Sequence, residues 1–264
     1  MLLPVTKIIC VLLLTFVVGC TQDSEQKPQI MVFAAASLND VMTEVGSRFE
    51  QQHGIKVNYN FAGSNVLAQQ LVAAPKADLF VSANKAWMRR LGQAKRIVPG
   101  SRQLVLGNRL VLIVKQNSRL PAIAQQLLCK TDFERLSIGN PEAVPAGIYA
   151  RQWLQKFRCE KGSAWDVLAD RVAPAPNVRA ALGLVEAASD IPGIVYATDA
   201  AMSDKVTVIF EVTGNNAPDI GYHAALVDNS SSHENTKLFL RFLSGEQAAE
   251  VFQSFGFTVP QMSD

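Results

Sequence analysis

The sequence predicts an α/β protein of two lobes, each a mostly parallel sheet flanked by helices. Short apolar strands alternate with amphipathic helical segments, which is the pattern of β–α–β units. One apolar stretch, Leu104 to Lys115 (LVLGNRLVLIVK), exceeds an ordinary strand and is interrupted at Gly107-Asn108-Arg109. A chain of 264 residues is long enough to form two lobes. We therefore expect two chain crossings, near Leu106–Val114 and Met202–Ile209, with a ligand in the interlobe cleft.

Residues 1–19 are expected to be a signal peptide. Lys7 precedes an apolar run, Ile8 to Gly19, that is shorter than the roughly 20 residues needed to cross a bilayer. The run closes on Val17-Val18-Gly19-Cys20, which resembles a bacterial lipobox and implies cleavage before Cys20 and lipidation of its sulfur. A soluble exported protein cut nearby is the alternative. Residues 20–29 would then be a tether, and the protein a membrane-anchored lipoprotein of the periplasm or cell surface.

Residues 30–110 and 206–264 are assigned to the first lobe. The helix that follows Ser37 is predicted from apolar residues at helical spacing, which are Leu38, Val41, Met42, Val45 and Phe49. The predicted strands of this lobe are Ile30–Ala35, Lys56–Phe61, Ala77–Ser82, Val206–Val212 and Ala224–Val227. Its predicted helices are Ser37–His53, Ser64–Ala73, Lys85–Gly92, Glu234–Leu243 and Glu246–Phe255.

Residues 111–205 are assigned to the second lobe, in which the alternation restarts after Ser118. Its predicted strands are Leu136–Gly139 and Ile194–Ala197. Its predicted helices are Ala146–Phe157, Ala164–Val172 and Val178–Ala188.

Composition excludes some classes of function. The chain carries 25 Lys and Arg against 23 Asp and Glu, which argues against nucleic-acid binding. The three histidines show no zinc-like spacing with cysteine. Loss of Cys10 with the signal and use of Cys20 for lipid leave Cys129 and Cys159. In an oxidising compartment these two form a disulfide or remain free, and the sequence leaves both open.

Several strand-to-helix turns carry small residues with hydroxyls or free backbone N–H groups. They are Ala36-Ser37, Phe61-Ala62-Gly63-Ser64-Asn65, Val144-Pro145-Ala146-Gly147, Pro176-Asn177-Val178-Arg179 and, ending a strand, Gly193-Ile194-Val195-Tyr196. Helix N-termini have unpaired N–H groups and a positive dipole end, which suit an anion. Taken alone, a serine in the position of Ser37 is more often an N-cap than a ligand contact, and a tyrosine in the position of Tyr196 is more often a core or rim residue. Together these groups offer uncharged donors to a desolvated dianion.

Six motifs in order, VFAAASLND, FAGSNVLAQQL, ADLFVSANKAWM, GNPEAVPAGIYA, PNVRAALGLVE and GIVYATDA, resemble those of the periplasmic molybdate-binding proteins of ABC transporters. The resemblance runs from about Ile30 to Phe257. It implies a type II periplasmic-binding-protein fold that closes on molybdate or tungstate and delivers it to a membrane permease. It further implies a monomer that is no enzyme, needs no cofactor and holds molybdenum only as the oxyanion.

The resemblance also implies the ligand contacts. These are the hydroxyls of Ser37, Ser64 and Tyr196 and the backbone N–H groups of Ala146 and Val178. Neighbouring Ala36 and Asn65 are weaker candidates, whereas Asp78 and Trp87 match the family as structural residues. The segment Phe157–Ser163 looks longer than is usual in the family, and because it carries Cys159 it favours a Cys129–Cys159 disulfide.

Three alternatives remain from the sequence. Sulfate or phosphate could be the ligand of the same kind of receptor, although a protonated phosphate would also want an acceptor carboxylate. An oxyanion-sensing domain would need the same closed lobes. A hydrolase or transferase would need a base beside Ser37 or Ser64, and no nucleophile-elbow motif or nearby histidine supplies one.

Overall fold

The structure is a computed structural model that describes residues 27–130, 133–228 and 233–260. The predicted signal peptide, Cys20 and most of the predicted tether lie outside the described residues. Within the described ranges, no helix combines the length and the apolar character that crossing a membrane requires.

The strands of the described chain form two five-stranded sheets and a short hairpin. In chain order the strands are β1 (Gln29–Ala35), β2 (Lys56–Ala62), β3 (Leu79–Ser82), β4 (Gln103–Asn108), β5 (Leu110–Lys115), β6 (Leu136–Gly139), β7 (Arg158–Cys159), β8 (Gly162–Ser163), β9 (Val172–Ala175), β10 (Gly193–Tyr196), β11 (Val206–Glu211) and β12 (Ile220–Leu226).

The helices pack on both sheets. They are α1 (Asn39–His53), α2 (Ser64–Ala73), α3 (Lys85–Gln93), α4 (Ala124–Lys130), α5 (Pro145–Lys156), α6 (Ala164–Leu168), α7 (Val178–Ala187), α8 (Ala197–Ala201), α9 (His233–Leu243) and α10 (Glu246–Ser254). Short 3-10 helices span Ala36–Leu38, Ala169–Arg171 and Gly214–Asn216. Helix α1 is capped at its C-terminus by Gly54, whose φ of 70° is the left-handed conformation that glycine adopts without strain.

The first sheet has the order β2-β1-β3-β12-β4. Strands β1, β2 and β3 are parallel, because each is followed by a helix that returns the chain to the same edge. Strand β12 runs antiparallel to both β3 and β4. The carboxyl ends of β1 and β2 therefore lie side by side, with Ala35 opposite Ala62. Both strand ends lie at the interlobe cleft.

The second sheet has the order β11-β5-β10-β6-β9. Strands β6, β9 and β10 are mutually parallel in their pairings, whereas β5 is antiparallel to both β10 and β11. The predicted α/β fold of two lobes, each with a sheet flanked by helices, is confirmed. Each sheet is mixed, with antiparallel strands where the chain crosses between the lobes.

The first crossing lies where the interrupted apolar stretch predicts it. Strand β4 ends at Asn108 in the first sheet and β5 begins at Leu110 in the second, so Arg109 alone joins the lobes there. The prediction for the other crossing was wrong. Strand β11, assigned to the first lobe, pairs with β5 in the second sheet, Val206 opposite Lys115. The chain therefore returns to the first lobe after β11. The prediction failed because the apolar pattern of an edge strand does not indicate which sheet the strand joins.

The second lobe also carries a disulfide between Cys129, in α4, and Cys159, in the β7–β8 hairpin. The two Cα atoms lie 5.4 Å apart, and the bond closes a sequence separation of 30 residues. It ties the segment Phe157–Ser163 to α4. In the loop-entropy description, a closed loop of that length stabilises the fold by about 3–4 kcal/mol.

Candidate functional site

A small cavity lies between the two lobes. Its free space is close to what one water-sized sphere needs, so the cavity suits only a ligand of a few atoms. Its lining residues are Ala35, Ala36, Ser37, Gly63, Ser64, Ala83, Val144, Pro145, Ala146, Asn177, Val178 and Tyr196. None of these carries a charge. The structure thus brings together Ser37, Ser64, Ala146, Val178 and Tyr196, with Ala36 beside them, whereas Asn65 is not among the lining residues.

Three helices of ten residues or more begin at this cavity. Helix α2 begins at Ser64, α5 at Pro145 and α7 at Val178. None of the three has an acidic residue in its first turn to compete with an anion for the positive end of the helix. The early N–H groups of a helix lack intrahelical partners, and those of Ala146 and Val178 are among them.

At the N-terminus of α7, the helix cap leaves one backbone N–H group available to a ligand. Asn177 caps the helix, and its side-chain oxygen accepts the N–H of Ala180 at 2.9 Å. That bond satisfies the third helical residue and leaves the N–H of Val178 to face the cavity. Capping and ligand binding therefore use different N–H groups of the same helix.

Ser37 is not an N-cap. It lies within the Ala36–Leu38 3-10 helix, and no side-chain capping bond forms there or at the start of α1. Its Oγ instead lies 2.9 Å from the phenol oxygen of Tyr222, which accepts a bond from Asn108 Nδ2 at 3.2 Å. Either hydroxyl can donate in the Ser37–Tyr222 pair. With the Tyr222 O–H as the donor, the Ser37 O–H is free to donate to a ligand.

Ser64 and Tyr196 present the other two hydroxyls. Ser64 Oγ accepts the N–H of Ala83 at 3.1 Å, which leaves its hydrogen for the cavity. Tyr196 is 1% exposed, and its hydroxyl has no hydrogen-bond partner within the described residues. A buried, unpaired hydroxyl costs about 1–3 kcal/mol, so this group is poised for an acceptor in the cavity. Burial raises the pKa of Tyr196 well above its usual value, so the phenol stays a donor.

Two glycines set the distances across the site. A Cβ on Gly147, in α5, would lie 1.8 Å from the carbonyl oxygen of Gly139 at the end of β6. Glycine therefore allows the N-terminus of α5 to approach the sheet. A Cβ on Gly63 would lie 2.8 Å from the carbonyl oxygen of Pro176, in the other lobe. Here glycine lets the two lobes close on each other.

Further contacts hold the lobes together around the cavity. The Trp87 indole, in α3, donates to the carbonyl oxygen of Ala143 in the second lobe at 2.9 Å. Asn108 Nδ2 also donates to Thr198 Oγ1 of the second lobe at 2.9 Å. Trp87 was predicted to be a structural residue, and it packs between the lobes. Asp78, the other residue predicted to be structural, accepts the N–H of Met31 at 2.6 Å within the first lobe.

Two residues of the site, Asn108 and Tyr222, were not predicted from the sequence. They complete the donor chain to Ser37, yet neither lies in a strand-to-helix turn. Asn108 carried a signal, because it is a polar interruption of the long apolar stretch at the lobe crossing. Tyr222 carried none, because its strand is buried throughout and a tyrosine there is indistinguishable from a core residue.

A buried carboxylate lies behind Tyr196. Asp199 is fully buried, and burial raises its pKa to about 7 although the Arg179 guanidinium opposes the rise. An unfolded aspartate titrates near pH ~3.9. Between these two values the folded protein holds a proton that the unfolded chain has released, so stability decreases as the pH rises through that window.

We therefore expect the unfolding free energy of the ligand-free protein to decrease more between pH 5 and pH 8 than that of Asp199→Asn. Urea unfolding in buffers without oxyanions measures both slopes. Equal slopes for the two proteins would contradict the assignment, because they would mean that Asp199 takes up no extra proton on folding.

Within the described residues there is no group of three or more His, Cys, Asp or Glu side chains placed to hold a metal ion. The arrangement is instead a set of neutral O–H and N–H donors converging from both lobes on one small cavity. Chemically it can surround an anion that carries only acceptor oxygens.

Comparisons with known proteins agree with this geometry. Residues 30–258 match the family described as bacterial extracellular solute-binding protein. The chain is 39% identical to the molybdate-binding protein ModA of Escherichia coli (strain K12), over 88% of this chain and 89% of that protein. It is 32% identical to YvgL of Bacillus subtilis (strain 168), which carries the provisional name of an ABC transporter substrate-binding lipoprotein, over 92% and 93%. The periplasmic molybdate-binding protein of Azotobacter vinelandii has the same fold, with a TM-score of 0.76 and 20% identity, over 88% of this chain and all of that one.

Proposed function

The chain belongs to the bacterial extracellular solute-binding proteins, and on that premise we propose that it is the molybdate receptor of an ABC transporter. It binds molybdate, and tungstate alike, outside the cytoplasm and delivers the ion to a membrane permease. The 39% identity to a molybdate-binding protein over 88% of the chain supports the ligand. The family is one of binding proteins, not enzymes.

One observation carries the proposal. The cavity offers the hydroxyls of Ser37, Ser64 and Tyr196 and three helix N-termini, with no charged side chain among its lining residues. Neutral donors make short, strong bonds to an ionised acceptor, and together they replace the water that a dianion loses. An empty set of neutral donors is also less costly than a buried, unpaired guanidinium.

Among the tetrahedral oxyanions, the donor set disfavours phosphate. Near neutral pH phosphate is partly protonated, and its O–H needs an acceptor. The lining has no carboxylate, and the fully buried Asp199 is not part of it. Sulfate is the second candidate, because it too is an unprotonated dianion, and discrimination against it then rests on cavity size.

Calorimetric titration of the ligand-free protein with molybdate, tungstate, sulfate and phosphate tests the proposal. We expect tight binding of molybdate and tungstate, weaker binding of sulfate and none of phosphate. Molybdate is also expected to change the tryptophan fluorescence, since the Trp87 indole bonds across the cleft. Sulfate binding tighter than molybdate would reject molybdate as the ligand.

We propose further that a lipid on Cys20 anchors the protein at a membrane. The support is the sequence Val17-Val18-Gly19-Cys20 after an apolar run, together with a relative named as a lipoprotein. The anchor would keep the receptor near its permease. Release of Cys20→Ser from the membrane fraction checks the anchor, and an unchanged membrane association of that variant would refute it.

A further inference from the structure

Arg179, in α7 of the second lobe, contacts the carboxyl groups of two aspartates at once. Its guanidinium forms ion pairs with Asp40, in α1 of the first lobe, and with Asp199, in α8 of the second lobe. The Asp199 side chain is fully buried, whereas the side chains of Arg179 and Asp40 are 30% and 37% exposed. One pair is therefore internal to a lobe and the other spans the cleft.

The positions of these three residues relate them to the ligand site. Asp40 follows Ser37 by three residues, and Asp199 follows Tyr196 by three residues. Arg179 is the residue directly after Val178. Asp40, Arg179 and Asp199 thus each lie close in sequence to a residue that presents a donor to the cavity. The Arg179 guanidinium contacts both aspartates and so connects these three segments outside the cavity.

The internal pair prepares the cross-lobe pair. A planar guanidinium presents five donors in a fixed fork, and Arg179 contacts Asp199 through Nε and Asp40 through Nη2. The three rotatable donors of an ammonium group do not fix such a geometry. Because Asp199 already holds Arg179, little side-chain freedom remains to be lost when Asp40 arrives. A contact with an anchored arginine should therefore stabilise closure more than an ordinary exposed ion pair does.

Opening of the cleft must break the Asp40 contact. Asp40 and Ser37 are parts of one lobe, and Arg179 and Val178 are parts of the other. Any motion that separates the two halves of the ligand site also separates this ion pair, while the Arg179–Asp199 pair remains intact.

We propose that Arg179 is a positioning residue for oxyanion binding, and that its ion pair with Asp40 latches the closed lobes and slows release of the ligand. The inference rests on the proposed function, because it concerns the same cavity. It adds an ion pair outside the cavity that slows the release of a ligand bound by uncharged groups.

Charge repulsion between Asp40 and the ligand, taken alone, predicts a change in Kd of the opposite sign. Asp40 carries a negative charge near a site for a dianion, so removing that charge alone should tighten anion binding. The latch predicts that removing it weakens binding. The sign of the change in Kd therefore separates the two.

The test compares Asp40→Asn with Glu44→Gln. Both substitutions remove one negative charge from α1, but the ion pair of Glu44 in the described structure is with Arg48 of the same helix, and both side chains are exposed. We expect Asp40→Asn to raise the Kd for molybdate about 3- to 10-fold, mainly through faster dissociation in stopped-flow fluorescence. Asp40→Glu should restore most of the affinity. Glu44→Gln should leave the Kd unchanged or slightly lower.

Arg179→Lys completes a double-mutant cycle. It keeps the positive charge but loses the fixed fork that positions the side chain between Asp199 and Asp40, so it should weaken binding about as much as Asp40→Asn. The combined variant should lose little more than either one, because both changes remove the same contact. Additive losses, or an Asp40→Asn protein that binds molybdate as tightly as the wild type or more tightly, would overturn the latch.

The outcomes distinguish the two proposals. A wild-type protein that binds sulfate in preference to molybdate would refute the proposed ligand. The same cycle run with sulfate would then still decide whether Arg179 and Asp40 control release.

Discussion

Replacing Gly147 with alanine is expected to weaken molybdate binding about 100-fold or more and to lower the melting temperature. The added Cβ would lie 1.8 Å from the carbonyl oxygen of Gly139 and 2.4 Å from its carbonyl carbon, so the backbone must move. The N-terminus of α5 then moves away from β6 and takes the N–H of Ala146 out of line. A hydrogen bond to a charged group contributes about 1.5–3 kcal/mol, and misplacing one or two of them accounts for the 100-fold loss.

The matched control is Gly183→Ala. Gly183 lies within α7. Apart from its chain neighbours and the backbone of its own helix, no heavy atom of the described residues lies within 4 Å of the place its Cβ would take. Alanine is favoured over glycine inside a helix by roughly 0.5–1 kcal/mol, so this variant should be as stable as the wild type or more stable. Calorimetric titration and thermal unfolding of both variants give the comparison. A Gly147→Ala protein with wild-type affinity would show that the α5 N-terminus does not contribute to the site.

Replacing Tyr196 with phenylalanine is expected to weaken molybdate binding about 10- to 100-fold without destabilising the ligand-free protein. The hydroxyl is buried and unpaired within the described residues, so its removal breaks no bond of the fold and relieves a desolvation cost. What it removes is a donor to the ion, worth about 1.5–3 kcal/mol. Ser37→Ala should weaken binding similarly, but it also removes a partner of Tyr222, so its effect on stability is mixed.

Tyr59→Phe is the control for Tyr196. The Tyr59 hydroxyl donates to the carbonyl oxygen of Met42 at 2.7 Å, within the first lobe and outside the cavity. Its loss should lower the unfolding free energy by about 1 kcal/mol and leave the Kd unchanged. The two variants therefore predict opposite patterns in titration and in urea unfolding. Unchanged affinity in Tyr196→Phe would mean that backbone amides and serines alone hold the ion.

Local patterns predicted most of the fold. Helix α2 matches its prediction at both ends, because its apolar spacing starts directly after Gly63 and stops before Ala74. The end of α6 was mispredicted. The sequence predicted a helix to Val172, whereas α6 stops at Leu168, a 3-10 turn follows, and Val172–Ala175 forms the edge strand β9. A strand of four residues that contains Pro174 is too short to show an alternation of apolar and polar residues. Proline is tolerated there because β9 is an edge strand.

The candidate site separates into a local part and a long-range part. The donors lie in turns that the sequence displays, so Ser37, Ser64 and Tyr196 were found from it. Their partners come from far along the chain, and 185 residues separate Ser37 from Tyr222. Arg179 and Asp40 are likewise 139 residues apart. A pairing of that kind depends on how two sheets close on each other, which no local period encodes.

The most direct measurement is a crystal structure of the protein grown with molybdate, with the molybdenum located by its anomalous scattering. The account predicts one peak between the lobes, its oxygens within hydrogen-bond distance of the hydroxyls of Ser37, Ser64 and Tyr196 and of the N–H groups of Ala146 and Val178. A peak elsewhere, or an ion bonded mainly to lysine or arginine side chains, would contradict it.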